Sequence, residues 1–250
     1  MKLEILPISV PTKKNAFDLF ESLVVSGFEF RQNDILVLSS KYVSVAEGCV
    51  IDLSQVKVSK KASSIASEYH MNPKIAELVI RESDYIFNGI PGFLLAIRAG
   101  IIAPNAGIDK SNVPSGFAIF YPRQPFKSAE SLRRKFLVDL GIRIGVVLAD
   151  SRLMPTRIGT TGVAIANAGF EPVEDQRGRR DLFGNVLKVT FKAVADSLAT
   201  MGVAVMGESN ESTPAVVVRG AKVIATNRKL SYHDMAVDPV EDIYVRGFKH

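Results

Sequence analysis

The 250-residue chain has no tryptophan, one cysteine and three histidines, and its apolar runs are short. Each shortage closes off a class of protein. A lone Cys49 cannot form an intramolecular disulfide, and Cys49, His70, His233 and His250 make no cysteine–histidine zinc constellation, so a reducing, cytoplasmic setting is expected. No motif places any of the histidines at a site, and surface or packing roles are expected for them. The longest apolar stretches, Gly145 to Ala149 and Ala215 to Val218, fall far short of the roughly 20 residues that cross a bilayer. Met1 to Pro11 carries Lys2 and Glu4 in a strand-like alternation rather than a basic segment followed by an apolar run, so it does not read as a secretory signal.

What is present suits a globular protein with a sizeable core, at 47% hydrophobic and 23% charged residues. A net charge of +5 and a pI near 9.3 favour acidic partners such as nucleotides, nucleic acid or a substrate bearing phosphate and carboxylates. Solubility alone would account for the same charge. The basic residues form only short clusters, at Lys13-Lys14, Lys60-Lys61, Arg133 to Lys135 and Arg177 to Arg180, and no nucleic-acid module accompanies them.

Periodicity gives mixed strands and helices. Leu3 to Ile8 and Asp34 to Ser39 read as strands around a helix at Ala16 to Val25, and Lys60 to Glu82 reads as two helices parted by Pro73. Phe93 to Ile97 and Gly100 to Ala103 suggest a hairpin, and Phe117 to Tyr121 a further short strand. Ser128 is the expected N-cap of a helix ending at Gly141, with Arg133, Arg134 and Lys135 on its exposed side. That helix leads into a strand at Arg143 to Ala149. Lys188 to Ala193 reads as a strand, Val194 to Met206 as an amphipathic helix and Val216 to Val218 as a buried strand. The expected organisation is a catalytic region over residues 1–220, built of two closely packed subdomains, followed by a polar, partly extended arm over 221–250.

Five segments could carry chemistry. Asn105 to Asn112 is a polar loop in which Gly107 can take positive φ and Asp109 can face a cavity, although ordinary Asn/Asp turns look the same. Asp150-Ser151 follows an apolar strand, where a carboxylate and a hydroxyl could offer oxygen ligands to a hard divalent ion or could simply cap a helix. Arg157 to Gly162 has two glycines and paired threonines that could bring N–H groups to a phosphate, without the ending of a Walker motif; a packed glycine turn fits equally. Asp175 to Gly184 alternates acids, arginines and glycines. Met206 to Pro214 is a polar helix-to-strand loop with the carboxylate Glu208, open to phosphate or metal.

Taken in order, SKYVSVAEG (40–48), NAGIDKSNV (105–113), RIGVVLADS (143–151), GTTGVAI (159–165), DQRGRRDLFG (175–184), AVADSLA (193–199) and MGES with PAVVVRG (206–220) resemble the coenzyme F420-0:L-glutamate ligase family. The resemblance implies an α+β fold of mixed sheets with flanking helices, an intertwined homodimer, and GTP-dependent addition of L-glutamate to the lactyl carboxylate of F420-0 with Mg²⁺ or Mn²⁺; K⁺ is a further candidate ion. By the same resemblance Asp109 and Asp150 are catalytic and hold one metal, while Ser151 and Glu208 help hold a second. Lys41, Asn112 and the loop Met206, Gly207, Glu208, Ser209, Asn210, Glu211, Ser212 and Thr213 would contact the nucleotide; Glu47 is a nearby candidate. Val45 and Cys49 stand where the family usually has Lys and Arg, and Arg152-Leu153-Met154 replaces the family's usual residues after the aspartate. Two other readings stay open: a ligase for a different acceptor acid, and a nucleotide- or nucleic-acid-binding module without ligase activity.

Overall fold

In a computed structural model the chain is described over residues 2–247, so His250 lies outside the described residues. Its strands are β1 (Glu4–Ile8), β2 (Ile35–Ser39), β3 (Val50–Asp52), β4 (Tyr85–Ile90), β5 (Phe93–Arg98), β6 (Ile101–Pro104), β7 (Phe117–Ile119), β8 (Gly145–Leu153), β9 (Thr160–Ala168), β10 (Val173–Asp175), β11 (Phe191–Ala193) and β12 (Ala215–Arg219). The helices are α1 (Leu19–Val24), α2 (Ser40–Ala46), α3 (Lys60–Glu68), α4 (Pro73–Glu82), α5 (Pro125–Leu140), α6 (Val194–Met206) and α7 (Ile243–Gly247). The fold is thus α+β with mixed sheets and flanking helices.

The main sheet has the order β1-β12-β2-β8-β9, in which only β2 and β8 run parallel. Its central strands are Val/Leu/Ile runs because both faces are covered. Leu36, Leu38, Val146, Leu148 and Val217 pack with Leu132 and Phe136 of α5 and Tyr42 and Val43 of α2. The alternate residues Ile35, Val37, Val147, Val216 and Val218 meet Ala195, Leu198 and Ala199 of α6. The small residues of α6 have a steric reason: a Cβ on Gly162 of β9 would lie 2.4 Å from the Ala199 carbonyl oxygen. A second core joins α4, β5, β7 and the 105–108 turn through Leu78, Val79, Leu94, Ala106, Ile108 and Ala118.

Several local expectations change. Helix α1 begins only after Asp18, whose side chain caps it at Glu21 N–H. Helix α5 begins at Pro125, so Ser128 lies inside its first turn and donates to the Gln124 carbonyl oxygen. Arg133 is buried, not solvated, and pairs with Glu130 at 2.7 Å. Strand β11 is shorter than expected, and β4, which pairs with β5, has no counterpart among the expected strands. The 221–247 segment packs Ala221, Val223 and Met235 against the α6 side of the sheet. No helix among the described residues is long and apolar enough to cross a membrane.

Candidate active site

Strands β2 and β8 end their parallel pairing at Ser39 and Ala149. The chain leaves β2 directly into α2, whereas β8 continues to Leu153 along β9 alone. Asp150 is therefore not a helix cap and not a strand end; it sits in β8 just beyond the point where its parallel neighbour departs, with a register irregularity at Leu148/Ala149 immediately before it. Such bulges re-aim side chains beside sites. The divergence of β2 leaves Asp150 lining open space on that side of β8.

Two hydroxyls hold Asp150: Ser40 Oγ donates to Oδ1 at 3.1 Å and Tyr121 Oη to Oδ2 at 2.6 Å. Burial pushes the Asp150 carboxyl pKa up, against those two hydrogen bonds and the charge of Lys41. Tyr121 is itself driven well above its ordinary range by burial and by the Asp150 charge. The tyrosine ring fills the space over Gly107, where φ is +74° and a Cβ would come within 2.2 Å of the ring. Gly107 thus takes the positive φ expected of it, and the reason is both the backbone turn and this contact.

Asp109 is anchored by paired backbone hydrogen bonds to Ile119 of β7. Its Oδ1 accepts from the N–H groups of Lys110 and Ser111, and its Oδ2 accepts from Ser111 Oγ and pairs with Lys41 Nζ at 2.5 Å. Burial alone would raise the Asp109 pKa, but Lys41 and Ser111 outweigh it and hold the carboxyl at about 2. On the other side of β8, Ser151 Oγ and Thr160 Oγ1 donate to the two oxygens of Glu208, at 3.1 and 3.0 Å.

These residues border two cavities. The larger, about 540 Å³, is lined by Lys13 and Lys14, by Asn112, and by Met206 to Thr213. The smaller, about 320 Å³, is lined by Asn105, Asp109, Tyr121 and Arg152, among others. Lys41, Asp150, Ser151 and Glu208 line both and form their common wall. The structure therefore gathers Lys41, Asp109, Asn112, Asp150, Ser151 and the 206–213 loop around one connected site, with Asp109 on the smaller cavity and Asn112 and most of the loop on the larger, whereas Glu47 lines neither cavity and accepts a hydrogen bond from Ser128 Oγ. Ser40, Tyr121 and Thr160 were missed as site residues. Ser40 and Thr160 lie inside motifs already singled out, whereas Tyr121 carried no signal beyond ending a strand.

Other expected segments lie elsewhere. Gly159 turns and Gly162 packs on α6, so the glycines there serve geometry and Thr160 alone reaches the site. Residues 176–190 form an exposed loop between β10 and β11, ordered by Asp181, which accepts from Phe183 N–H, Asn185 N–H and Asn185 Nδ2. His70 and His233 are exposed.

The donor chemistry fits a hard divalent ion. Carboxylate and hydroxyl oxygens face the common wall, and Asp150 is recessed there against hydroxyl donors without an ion pair among the described residues. No three His, Cys, Asp or Glu groups converge among the described residues, so the remaining ligands of such an ion would be hydroxyls, waters or phosphate oxygens.

Residues 8–220 match the F420-0:Gamma-glutamyl ligase family. The chain is 37% identical over 221 residues to the coenzyme F420:L-glutamate ligase of Methanopyrus kandleri, covering 88% of each chain. It is 33% identical over 244 residues to the ligase of that name from Methanocaldococcus jannaschii, covering 97% of each, and 38% identical over 206 residues to that of Methanothermobacter thermautotrophicus, covering 82% of each.

Proposed function

Because the chain belongs to the F420-0:Gamma-glutamyl ligase family and is a ligase of F420 biosynthesis, we propose that it joins L-glutamate by an amide bond to the carboxylate of coenzyme F420-0, at the expense of GTP and with Mg²⁺ or Mn²⁺. The observation that carries this reading is the common wall: one cavity large enough for a nucleotide and one the size of a small acid meet at Lys41, Asp150, Ser151 and Glu208.

The chemistry runs in two steps. An oxygen of the acceptor carboxylate attacks the γ-phosphorus, the bond to the β-phosphate oxygen breaks, and GDP leaves an acyl phosphate. The glutamate amine then attacks the acyl carbon, loses a proton and expels phosphate. Lys41, which lines both cavities, places positive charge between the reacting groups, while Lys13 and Lys14 offer charge to the triphosphate in the larger cavity. Asp150, fixed by Ser40 and Tyr121, is positioned at the meeting point of the reactants. Asp109, Asp150, Ser151 and Glu208 would hold the divalent ions, which when bound neutralise the phosphate charge; K⁺ would add to that neutralisation. The enzyme acts in the cytoplasm as a homodimer, supported by the apolar side chains Leu182 and Phe183, 99% and 90% exposed at the tip of the β10–β11 loop.

The test is incubation of the protein with F420-0, L-glutamate, GTP and Mn²⁺, followed by mass spectrometry. One added glutamyl unit, absent when GTP is omitted, supports the reading. Glutamylation of some other acid in place of F420-0 would replace it with the ligase for a different acceptor.

A further inference from the structure

Arg152 follows Asp150 by two residues in β8, so both side chains project from the same face of the strand, with Cα atoms about 6.5–7 Å apart by strand geometry. Both line the smaller cavity, together with Asn105, Asp109 and Tyr121. The charges of that cavity are unevenly committed. Lys41 is bound to Asp109 and Ser111. Arg152, partly buried, makes a single hydrogen bond, from Nη1 to the Ile102 carbonyl oxygen at 3.3 Å, and no ion pair among the described residues. A guanidinium has five N–H donors in a planar fork that matches a carboxylate, so most of its capacity faces the cavity unspent.

The surrounding groups give that charge a direction. The cavity wall carries the acids Asp109, Asp150 and Glu208, and its other cation, Lys41, is paired with Asp109, which leaves Arg152 as the lining cation open to a ligand carboxylate. A ligand carboxylate on Arg152 leaves the rest of a short amino acid extending along β8 toward Asp150, where the two cavities meet. An amine arriving there is attracted by the aspartate and lies beside the group it must attack.

We propose that Arg152 is the specificity-determining residue of the smaller cavity, gripping the side-chain carboxylate of the acidic amino acid and thereby aiming its amine at the common wall. This rests on the ligase reading above, and adds to it which cavity takes the amino acid and which side chain selects it. Lys41 cannot substitute, since it is spoken for by Asp109.

The experiment compares wild type with Arg152→Gln and Arg152→Lys, measuring kcat and KM for L-glutamate, KM for GTP, and direct L-glutamate and L-glutamine binding by calorimetry. For Arg152→Gln the expected result is a KM for glutamate raised at least about tenfold, the loss of a charged hydrogen-bonded contact. KM for GTP stays within about twofold, and the preference for glutamate over glutamine shrinks by a similar factor. Arg152→Lys recovers part of the glutamate affinity, which a purely structural role would not show. A wild type that glutamylates F420-0 but whose glutamate KM is unmoved by Arg152→Gln overturns this proposal and leaves the ligase reading standing. A wild type that binds glutamate and loses that binding in Arg152→Gln supports the proposal even where the acceptor proves different, and a wild type that neither binds nor uses glutamate overturns both.

Discussion

The Tyr121 hydroxyl donates a 2.6 Å hydrogen bond to Asp150 Oδ2, joining the end of β7 to the middle of β8 across the floor of the smaller cavity. With Ser40 on the other oxygen, it fixes a carboxylate that burial would otherwise destabilise as a charge. Tyr121→Phe removes the donor and keeps the ring over Gly107. The expected outcome is a folded protein whose kcat falls about 10- to 100-fold, the scale of one charged hydrogen bond in the reacting geometry, checked by steady-state kinetics beside a thermal melt.

Asp150→Asn keeps the shape of the side chain and removes its charge. Turnover is expected to be lost while the melting temperature changes by only a few degrees, since the amide oxygen still accepts from Ser40. Asp109→Asn should also abolish turnover, and it additionally strips Lys41 of its ion-pair partner. Near-normal activity in either variant contradicts the metal and catalytic roles given to these aspartates.

Much of this site is readable only through the order of the motifs: taken singly, Asp109 and Asp150 stand in segments that an ordinary turn or helix cap would also explain, Glu208 in a polar loop open to either phosphate or metal, and Lys41 enters through the family resemblance alone. What escaped notice depends on partners far away in the chain. Tyr121 acquires its role from Asp150, 29 residues on, and Thr160 from Glu208, 48 residues on. The buried Arg133 looked like one of three exposed cations because its shelter comes from tertiary packing, and a pattern of helical spacing carries no record of that. Unbroken apolar runs mark β2 and β12 and helical spacing marks α4 and α6, whereas the irregular, half-exposed β4 has neither.

Gly162 tests whether the GTTG segment serves packing. A Cβ there meets the backbone of Ala199 and Thr200 at 2.4 to 2.7 Å, and neither can yield without moving α6 off β9. Gly162→Ala should destabilise by about 1–3 kcal/mol, the usual scale of overpacking, read as a lower denaturation midpoint.

Glu77 provides a pH signature. Hydrogen bonds from Ser59 and then Arg81 hold its pKa at about 2, below an ordinary 4.5. Because the folded value is the depressed one, the contribution is fully present above about pH 4.5 and is lost as pH falls toward 2. Glu77→Gln should therefore flatten the acid side of the stability curve between those values and leave its slope near neutrality unchanged, as measured by urea midpoints across pH.

Leu182 and Phe183 sit almost fully exposed at the tip of the β10–β11 loop. If they seal a subunit contact, the double variant Leu182→Asp, Phe183→Asp shifts sedimentation from dimer to monomer with the melting temperature of the subunit core little changed. A wild type that sediments as a monomer would contradict the homodimer, and a variant that stays dimeric would contradict this contact.

The most direct measurement of the central claim follows an oxygen atom. F420-0 carrying ¹⁸O in its acceptor carboxylate is incubated with the protein, GTP, L-glutamate and Mn²⁺, and the inorganic phosphate and deazaflavin product are analysed by mass spectrometry. Passage through an acyl phosphate predicts one labelled oxygen in the phosphate and its loss from the glutamylated product. Glutamylated product with unlabelled phosphate, or no glutamylated product from folded protein, would contradict the account.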